Sequence, residues 1–184
     1  LVTSTRNPLY LALEWATLDQ ISNGRAILGA CMGNPEKGVR REFEALGLDY
    51  KKRANIFEEG LQVLRALWTD GKVSFDGEHF QYEDVEFYSG TEMGPMMPVV
   101  TPPPIWVVSN IRLTGDLDHS LARQRLERSC RRIVELGDGW MTCCRAEHPE
   151  EVVEQLGYLS RAAEDAEIDI SRHAISYQVT MNIG

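Results

Sequence analysis

The amino-acid sequence predicts an α/β protein built on a parallel sheet. Short segments that are apolar at every position alternate with longer segments in which apolar residues recur at helical spacing. A strand that is apolar on both faces belongs inside a parallel sheet that is covered by helices. Regular alternation of such strands with helices is the pattern of parallel α/β folds. The predicted buried strands are residues 26–31, 105–108, 140–144 and 174–183.

Length and composition restrict the classes of protein to consider. With 184 residues, 43% of them hydrophobic, the chain can form one domain, residues 1–184, with a substantial core. A formal net charge of -9 argues against a nucleic-acid surface. No apolar run reaches the roughly 20 residues of a membrane span, and no signal peptide is recognisable. These features predict a cytoplasmic protein with no membrane or nucleic-acid partner. The four cysteines form no regular framework, and adjacent Cys143 and Cys144 are interpreted as packing residues.

The first helix and the strand after it form the region around which the rest is arranged. Asn7 and Pro8 are a capping residue and a first-turn proline, and Asn23-Gly24 supplies the left-handed residues that end a helix. The strand at 26–31 then ends in residues with little side-chain bulk, 29–33. Parallel α/β folds bind ligands at the carboxyl ends of their strands, so this exit is a candidate ligand site.

The middle of the chain is predicted to be helical, with one excursion. A short amphipathic helix ends at Gly47, and a longer helix covers about 50–68. Residues 73–82 alternate apolar and polar side chains around Asp76-Gly77, which is the strongest short hairpin signal. Residues 89–104 are rich in proline and glycine and are expected to form an irregular loop.

The second half repeats the strand and helix pattern. The strand at 105–108 ends in Ser109-Asn110, an arginine-rich helix covers about 120–136, and another helix begins at Pro149. The arginines of the first of these helices fall on several of its faces. They are interpreted as a solvated surface with local carboxylate partners rather than as a patch that binds anions.

Several segments resemble the luciferase-like monooxygenase family of flavin- or deazaflavin-dependent enzymes. The helix-to-strand signature is Leu18-Asp19-Gln-Ile-Ser22-x-Gly24-Arg25-x-x-x-Gly29. Further matches, in the same order along the chain, are Glu42-Phe43-Glu-Ala-Leu-Gly47, Arg53 with Glu58-Glu59, Leu67-Trp68, Phe75-Asp-Gly77-x-x-Phe80, Pro104-Ile105-Trp-Val-Val108 and Leu136-Gly-Asp138-Gly139-Trp140. Any one of these matches alone is weak, and their shared order makes the resemblance specific.

The resemblance implies a (β/α)8 TIM barrel that is partial here, with strands four to seven, their helices and an inserted hairpin. It also implies a flavin-dependent oxidoreductase or monooxygenase that uses reduced FMN or the deazaflavin coenzyme F(420). The reaction would be oxygen activation or hydride transfer to a small organic substrate, in a homodimer. One alternative is a non-catalytic flavin-binding or structural relative, and another is a barrel enzyme that acts on phosphorylated sugars.

The site residues that the resemblance implies follow two of the strands. The predicted cofactor-binding residues are Gly29, Ala30, Met32, Gly33, Ser109, Asn110, Arg112 and Thr114. Within this set, Asn110, Arg112 and Thr114 are expected to contact a cofactor phosphate. The family's usual catalytic histidine lies on an earlier strand, so no catalytic residue is assigned in this chain.

Other polar residues are given structural roles. The histidines are scattered without metal-ligand spacing, so no metal site is expected. His79, His119 and His148 are predicted to be surface residues. Asp19 and Arg25 are predicted to form an ion pair that braces the turn between the first helix and its strand.

Overall fold

The computed structural model describes residues 1–87, 96–111, 119–142 and 148–177 of the chain. By its internal contacts the chain divides into two compact units, Leu1–Pro104 and Ile105–Gly184. That all 184 residues act as a single domain stays a prediction.

The first unit contains a helix, a strand and two further helices, followed by a hairpin. In chain order its helices and strands are α1 (Pro8–Ser22), β1 (Leu28–Ala30), α2 (Lys37–Ala45), α3 (Arg53–Asp70), β2 (Lys72–Asp76) and β3 (Gln81–Glu86). Short 3-10 helices cover Thr3–Thr5 and Tyr50–Lys52. The predicted long helix at 50–68 is therefore a 3-10 turn that leads into α3.

Helix α1 begins and ends where the capping residues predict. The Asn7 side-chain oxygen accepts a hydrogen bond from the backbone N–H of Leu9 at 2.9 Å, and Pro8 is the first helical residue. At the other end Asn23 and Gly24 both adopt positive φ angles, 54° and 77°. The two residues turn the chain sharply toward β1.

Asp19 braces this turn, but not through Arg25. The Asp19 side chain is fully buried, and its two oxygens accept hydrogen bonds from the backbone N–H groups of Ala26, at 3.3 Å, and Val100, at 3.0 Å. Arg25 is exposed and forms no salt bridge within the described residues. The predicted ion pair is therefore wrong. Buried backbone donors need acceptors, and the carboxylate meets that need here.

Strand β1 pairs in parallel with the first residues of the chain. The backbone N–H of Cys31 donates to Leu1 O and the N–H of Thr3 donates to Cys31 O, both at 2.9 Å. The strand is shorter than the predicted 26–31, because only Leu28–Ala30 has full strand character.

The core of the first unit lies between α1 and α3. The indole N–H of Trp68 donates to the Ala12 carbonyl at 3.0 Å, and both residues are fully buried. Helix α3 supplies six further buried side chains: Ile56, Leu61, Leu64 and Leu67 from the apolar face that the sequence predicts, and also Phe57 and Val63.

The predicted hairpin is confirmed, with β2 and β3 antiparallel and Val73 opposite Val85. A single carboxylate holds its turn: Glu59 on α3 accepts hydrogen bonds from the backbone N–H groups of residues 78, 79 and 80, at 2.9 to 3.1 Å. A Cβ at Gly77 would overlap the Glu59 carboxylate, so glycine is required there. The His79 side chain is only 12% exposed, so its prediction as a surface residue is wrong.

The second unit is a parallel sheet with helices. Its elements in chain order are β4 (Ile105–Val108), α4 (His119–Leu136), β5 (Gly139–Met141), α5 (Pro149–Asp165) and β6 (Ala174–Ser176). Strands β4, β5 and β6 are neighbours in that order and parallel, with Val107 beside Trp140 and Trp140 beside Ile175. The predicted strands at 140–144 and 174–183 are confirmed in their first parts. Cys143, Cys144 and residues 178–184 lie outside the described residues.

The two faces of this sheet differ in burial. Ile105, Val107 and Trp140 point to one face and are at most 2% exposed. Trp106 and Val108 point to the other face, where they are partly exposed. Since neighbouring residues of parallel strands share a face, Gly139 lies beside Trp106, and a Cβ at Gly139 would overlap the indole ring.

Candidate functional site

Strand β1 shows the same difference between its faces. Leu28 and Ala30 are fully buried, whereas Ile27, on the opposite face, is 43% exposed. Gly29 and Cys31 share the face of Ile27 and are partly exposed. Because Gly29 is small and partly exposed, a flat ligand can approach the backbone at this position. The sequence predicts this accessibility for Gly29.

Gly33, after β1, has a structural reason to be glycine. Its φ angle is +86°, and a Cβ there would lie 3.1 Å from Val39 and 3.3 Å from Phe43. The space next to Gly33 is thus filled by the unit's own side chains. Met32 beside it is partly exposed. Cofactor contact at Met32 and Gly33 remains a prediction.

The segment after β4 uses its backbone to hold the sheet. The N–H of Ser109 donates to the Met141 carbonyl at 3.1 Å, and the Ser109 carbonyl accepts from the Trp140 indole N–H at 2.8 Å. Asn110 is exposed and has polar contacts of its own, and Ile111 is 1% exposed. The Ser109 backbone is therefore held in place at the carboxyl end of β4. Ligand contact at Ser109 and Asn110 remains a prediction. Arg112 and Thr114 lie outside the described residues.

The sequence did not reveal the roles of several polar residues near β1. The Tyr50 hydroxyl donates to the Asn34 carbonyl at 2.9 Å, which ties the 3-10 turn before α3 to the segment after β1. The Ser4 hydroxyl donates to the Arg53 carbonyl at 3.1 Å, and Ser4 is 1% exposed. No spacing rule links residues 4, 34 and 50, so only the tertiary structure brings them to one edge.

A cavity of about 670 Å³ lies between α4 and α5. Its floor contains the buried residues Leu126 and Cys130. Arginines on its rim pair with carboxylates one turn away, Arg123 with Glu127 at 3.1 Å and Arg131 with Glu135 at 3.5 Å. The predicted local carboxylate partners are thus confirmed for these two arginines.

Cys130 on this floor is a buried thiol of low reactivity. Burial raises its pKa from the ordinary value of 9.0 to about 11, so the thiol stays protonated at neutral pH. A thiol rather than a thiolate is a poor nucleophile and a poor metal ligand.

The described residues contain neither a metal-binding cluster nor a membrane-spanning helix. Within 1–87, 96–111, 119–142 and 148–177, no group of three or more histidine, cysteine or acidic side chains is placed to hold a metal ion. Among the helices in those ranges, none has the length and apolar character needed to cross a membrane.

Residues 1–113 match the model of the luciferase-like monooxygenase family. The chain belongs to the luciferase-like monooxygenase family. The match includes β1, the hairpin and β4 with Ser109 and Asn110, and this confirms the resemblance found in the sequence.

Curated relatives match over less than half of the chain. The chain is 32% identical over 89 residues to the F(420)-dependent glucose-6-phosphate dehydrogenase of Amycolatopsis mediterranei, which is 47% of this chain and 26% of that protein. It is 37% identical over 82 residues to the pyrimidine monooxygenase RutA of Acinetobacter baylyi, which is 42% of this chain and 21% of that protein.

Solved structures match over nearly the whole chain. The monooxygenase RslO1 of Streptomyces bottropensis gives a TM-score of 0.67 at 24% identity over 94% of this chain and 45% of its own. The oxygenating constituent of 3,6-diketocamphane monooxygenase from Pseudomonas putida, in complex with FMN, gives 0.66 at 18% identity over 95% and 45%. The predicted fold class, part of a luciferase-like α/β barrel with a parallel sheet, is confirmed. The chain spans about half the length of these structures and aligns with about a quarter of the curated relatives.

Proposed function

We propose that the full-length protein is an oxidoreductase or monooxygenase that uses FMN or the deazaflavin F(420). The observation that carries the proposal is the family match over residues 1–113. The names of its relatives support both cofactors, since one is an F(420)-dependent dehydrogenase and one structure was solved in complex with FMN. The substrate would be a small organic molecule.

The proposed cofactor contacts in each unit lie at the carboxyl ends of its strands. In the first unit they are Gly29 and Ala30 in β1 with Met32 and Gly33 after it. Ala30 and Gly33 are buried, so Gly29 is the one of the four that combines small size with partial exposure. This accessible glycine is the feature of the first unit that fits a flat aromatic ring.

In the second unit the proposed contacts follow β4. Ser109 and Asn110 would hold polar groups of the cofactor, with Arg112 and Thr114 as further donors. The fixed backbone of Ser109, held from Met141 and Trp140, fits a positioning role for this segment. When bound, the flavin or deazaflavin supplies the hydride or the oxygen chemistry, and the protein orients it and excludes water.

The test is a titration of full-length protein with FMN and with F(420), followed by absorbance and fluorescence. Binding of one cofactor in the micromolar range, with turnover of a reductant or of an organic acceptor, is the expected result. Binding without any turnover would favour the non-catalytic alternative, and no binding of either cofactor at tens of micromolar would contradict the proposal. A homodimer and a cytoplasmic location are part of the same proposal, to be tested by light scattering and cell fractionation.

The cofactor contacts after β4 have their own test. Arg112→Ala in full-length protein is expected to weaken cofactor binding by about tenfold to a hundredfold, because a charge-assisted hydrogen bond contributes roughly 1.5–3 kcal/mol. Thr114→Val should cost less, since the bond it removes is neutral. Equal affinities in the wild type and both variants would place the phosphate elsewhere.

A further inference from the structure

Trp106 in β4 is a large aromatic side chain on the face of the second unit's sheet that the helices leave open. Helix α4 contacts β4 and β5, and a Cβ at Gly137, which follows α4, would lie 3.0 Å from the Val107 side chain. Val107 therefore points toward the helix layer, and it is 2% exposed. Trp106 points to the opposite face and is partly exposed. In a barrel with its helices outside, this opposite face belongs to the interior.

The indole ring of Trp106 covers the neighbouring strand. Trp106 is beside Gly139, and Gly139 is beside Ala174, so one row across three strands has one large residue and two of the smallest. A Cβ at Gly139 would lie 2.8 Å from Cδ1 and 3.0 Å from Nε1 of Trp106, and Gly139 is buried. The lack of a side chain at Gly139 therefore makes room for the indole ring to lie across β5.

The row of Trp106 lies below the carboxyl ends of the strands. The next row toward those ends contains Val108, Met141 and Ser176, all of them partly exposed. Two residues along a strand span about 7 Å, so the indole lies one side-chain layer deeper than this row. Barrel interiors are packed in such layers, and active sites lie at the carboxyl ends. A ligand that enters there and passes Val108 would meet the Trp106 ring next.

The indole N–H of Trp106 is an unused hydrogen-bond donor. The indole N–H of Trp68 donates to the Ala12 carbonyl at 3.0 Å. That of Trp140 donates to the Ser109 carbonyl at 2.8 Å. Trp106 has no acceptor among the described residues, and its indole nitrogen is not buried. An indole nitrogen can only donate, so it is free to pair with an acceptor oxygen of a ligand.

We propose that Trp106 determines substrate specificity, as the floor of an interior pocket that takes a neutral organic molecule with a carbonyl or hydroxyl oxygen. The inference rests on the proposed oxidoreductase function, and it adds the depth of the pocket and the chemistry of its deepest point. The ring sets the depth because it fills the space over Gly139. The N–H selects the oxygen. The two rows contain no charged side chain, which favours a neutral ligand.

The first test asks whether small molecules reach Trp106 in the full-length protein. Acrylamide, a small neutral amide, quenches the fluorescence of an indole that it can contact. The difference in emission between wild type and Trp106→Phe isolates Trp106, and acrylamide is expected to quench this component. Trp68→Phe is the matched control, because Trp68 is fully buried and its component should resist quenching. A Trp106 component that resists acrylamide as strongly as that of Trp68 would overturn the proposal, since it would show a filled interior.

The second test probes the donor with cyclohexanone, whose oxygen accepts a hydrogen bond. Calorimetry is expected to show about two- to tenfold weaker binding of cyclohexanone to full-length Trp106→Phe than to wild type, because the variant lacks the N–H. Cyclohexane has a ring of the same size without the oxygen, and it corrects for the smaller volume of phenylalanine. An equal change for both ligands, or no binding of cyclohexanone to wild type at millimolar concentration, would overturn the proposal.

The third test probes the depth of the pocket with a larger ring. Trp106→Ala removes the floor, so cyclooctanone should gain on cyclohexanone by about fourfold for each additional methylene group that is buried. Wild type should show no such gain, because the indole limits the depth. The same ranking of the two ketones in wild type and Trp106→Ala would overturn the proposal. Thermal melting checks the folding of each variant, and the two tests with Trp106→Phe stand even where Trp106→Ala does not fold.

The outcomes separate the role of Trp106 from the proposed function, because neither acrylamide nor the ketones need a bound cofactor. Binding of FMN or F(420) by a protein whose Trp106 resists acrylamide would overturn the role of Trp106 and leave the proposed function standing. An accessible Trp106 that binds ketones, in a protein that binds neither cofactor, would support the pocket and contradict the proposed function.

Discussion

Two arginine-containing regions of this molecule look alike in sequence and differ in structure. On α4, Arg123 and Arg131 each pair with a glutamate one turn later, at 3.1 and 3.5 Å. Around Tyr50, Arg40 and Arg53 have aromatic contacts but no carboxylate partner among the described residues. The arginines of α4 are the denser cluster in the sequence, and two of them have their charges compensated by glutamates.

The difference teaches that sequence spacing alone does not show how the charge of an arginine is compensated. A glutamate four residues after an arginine can compensate its charge within the same helix. Arg40 has Glu44 at this spacing on α2, yet the described residues show no salt bridge between them. Arg40 and Arg53 are 13 positions apart in the numbering, and the tertiary structure places both over the Tyr50 ring.

The largest effect is expected from removal of the ring that both unpaired arginines share. Tyr50→Ala should lower the free energy of unfolding by about 3 kcal/mol, because it removes two cation–π contacts, the edge contact with Phe43 and one hydrogen bond. Urea unfolding of full-length protein measures the effect. A change below about 0.5 kcal/mol, which is typical of an ordinary surface position, would show that the cluster has no structural role.

Local signals were sufficient for much of the fold. Asn7-Pro8 and Asn23-Gly24 correctly gave the ends of α1, and Asp76-Gly77 gave the hairpin. These signals act through backbone conformation within a few residues. They could not give the partners of Asp19, because one of its two donors is the N–H of Val100, 81 residues away.

The candidate site was less predictable than the fold. The continuous apolar runs gave the end of β4 and placed the end of β1 within one residue, but they could not say why Gly33 is glycine. The reason is the packing of Val39 and Phe43 against it, together with its positive φ angle. Tyr50 was missed for a similar cause, since its hydrogen bond to Asn34 spans 16 residues and follows no repeat.

The second-largest expected effect is a loss of stability at alkaline pH. It comes from Cys130, which lies buried in α4 between the arginines that pair with glutamates. Its pKa is raised to about 11 by burial, so the folded state holds the thiol proton more tightly than the unfolded state does. The stabilisation that comes from this difference in pKa is present in full below the ordinary value of 9.0, and it is lost as the pH rises toward 11. Between pH 8.5 and 10.5 the free energy of unfolding should therefore fall by about 2 kcal/mol from this group alone.

The matched control for this prediction is Cys130→Ala. Tyrosines and lysines that titrate in the same range affect both proteins, so the difference between the two pH profiles isolates the thiol. Parallel profiles from pH 8.5 to 10.5 would show that Cys130 ionises as easily in the folded protein as in the unfolded chain.

A smaller effect separates the Tyr50 hydroxyl from its ring. Tyr50→Phe keeps the aromatic face for Arg40 and Arg53 but removes the hydrogen bond to the Asn34 carbonyl. The free energy of unfolding should fall by about 1 kcal/mol, the usual contribution of one hydrogen bond. A loss as large as that of Tyr50→Ala would mean that the hydroxyl, and not the ring, holds the region together.

The smallest effect is expected for the ion pairs of α4, and it completes the comparison. A double-mutant cycle with Arg123→Ala and Glu127→Ala should give a coupling energy of about 0.3–0.5 kcal/mol, because the side chains are 77% and 63% exposed and water screens their charges. Salt at 1 M should abolish most of this coupling, since screening then acts within roughly 3 Å. The same cycle with Arg40→Ala and Glu44→Ala has the same spacing in the sequence but no salt bridge among the described residues, so its coupling energy should be close to zero. Equal coupling energies in the two cycles would mean that the spacing, and not the observed contact, decides how these arginines are compensated.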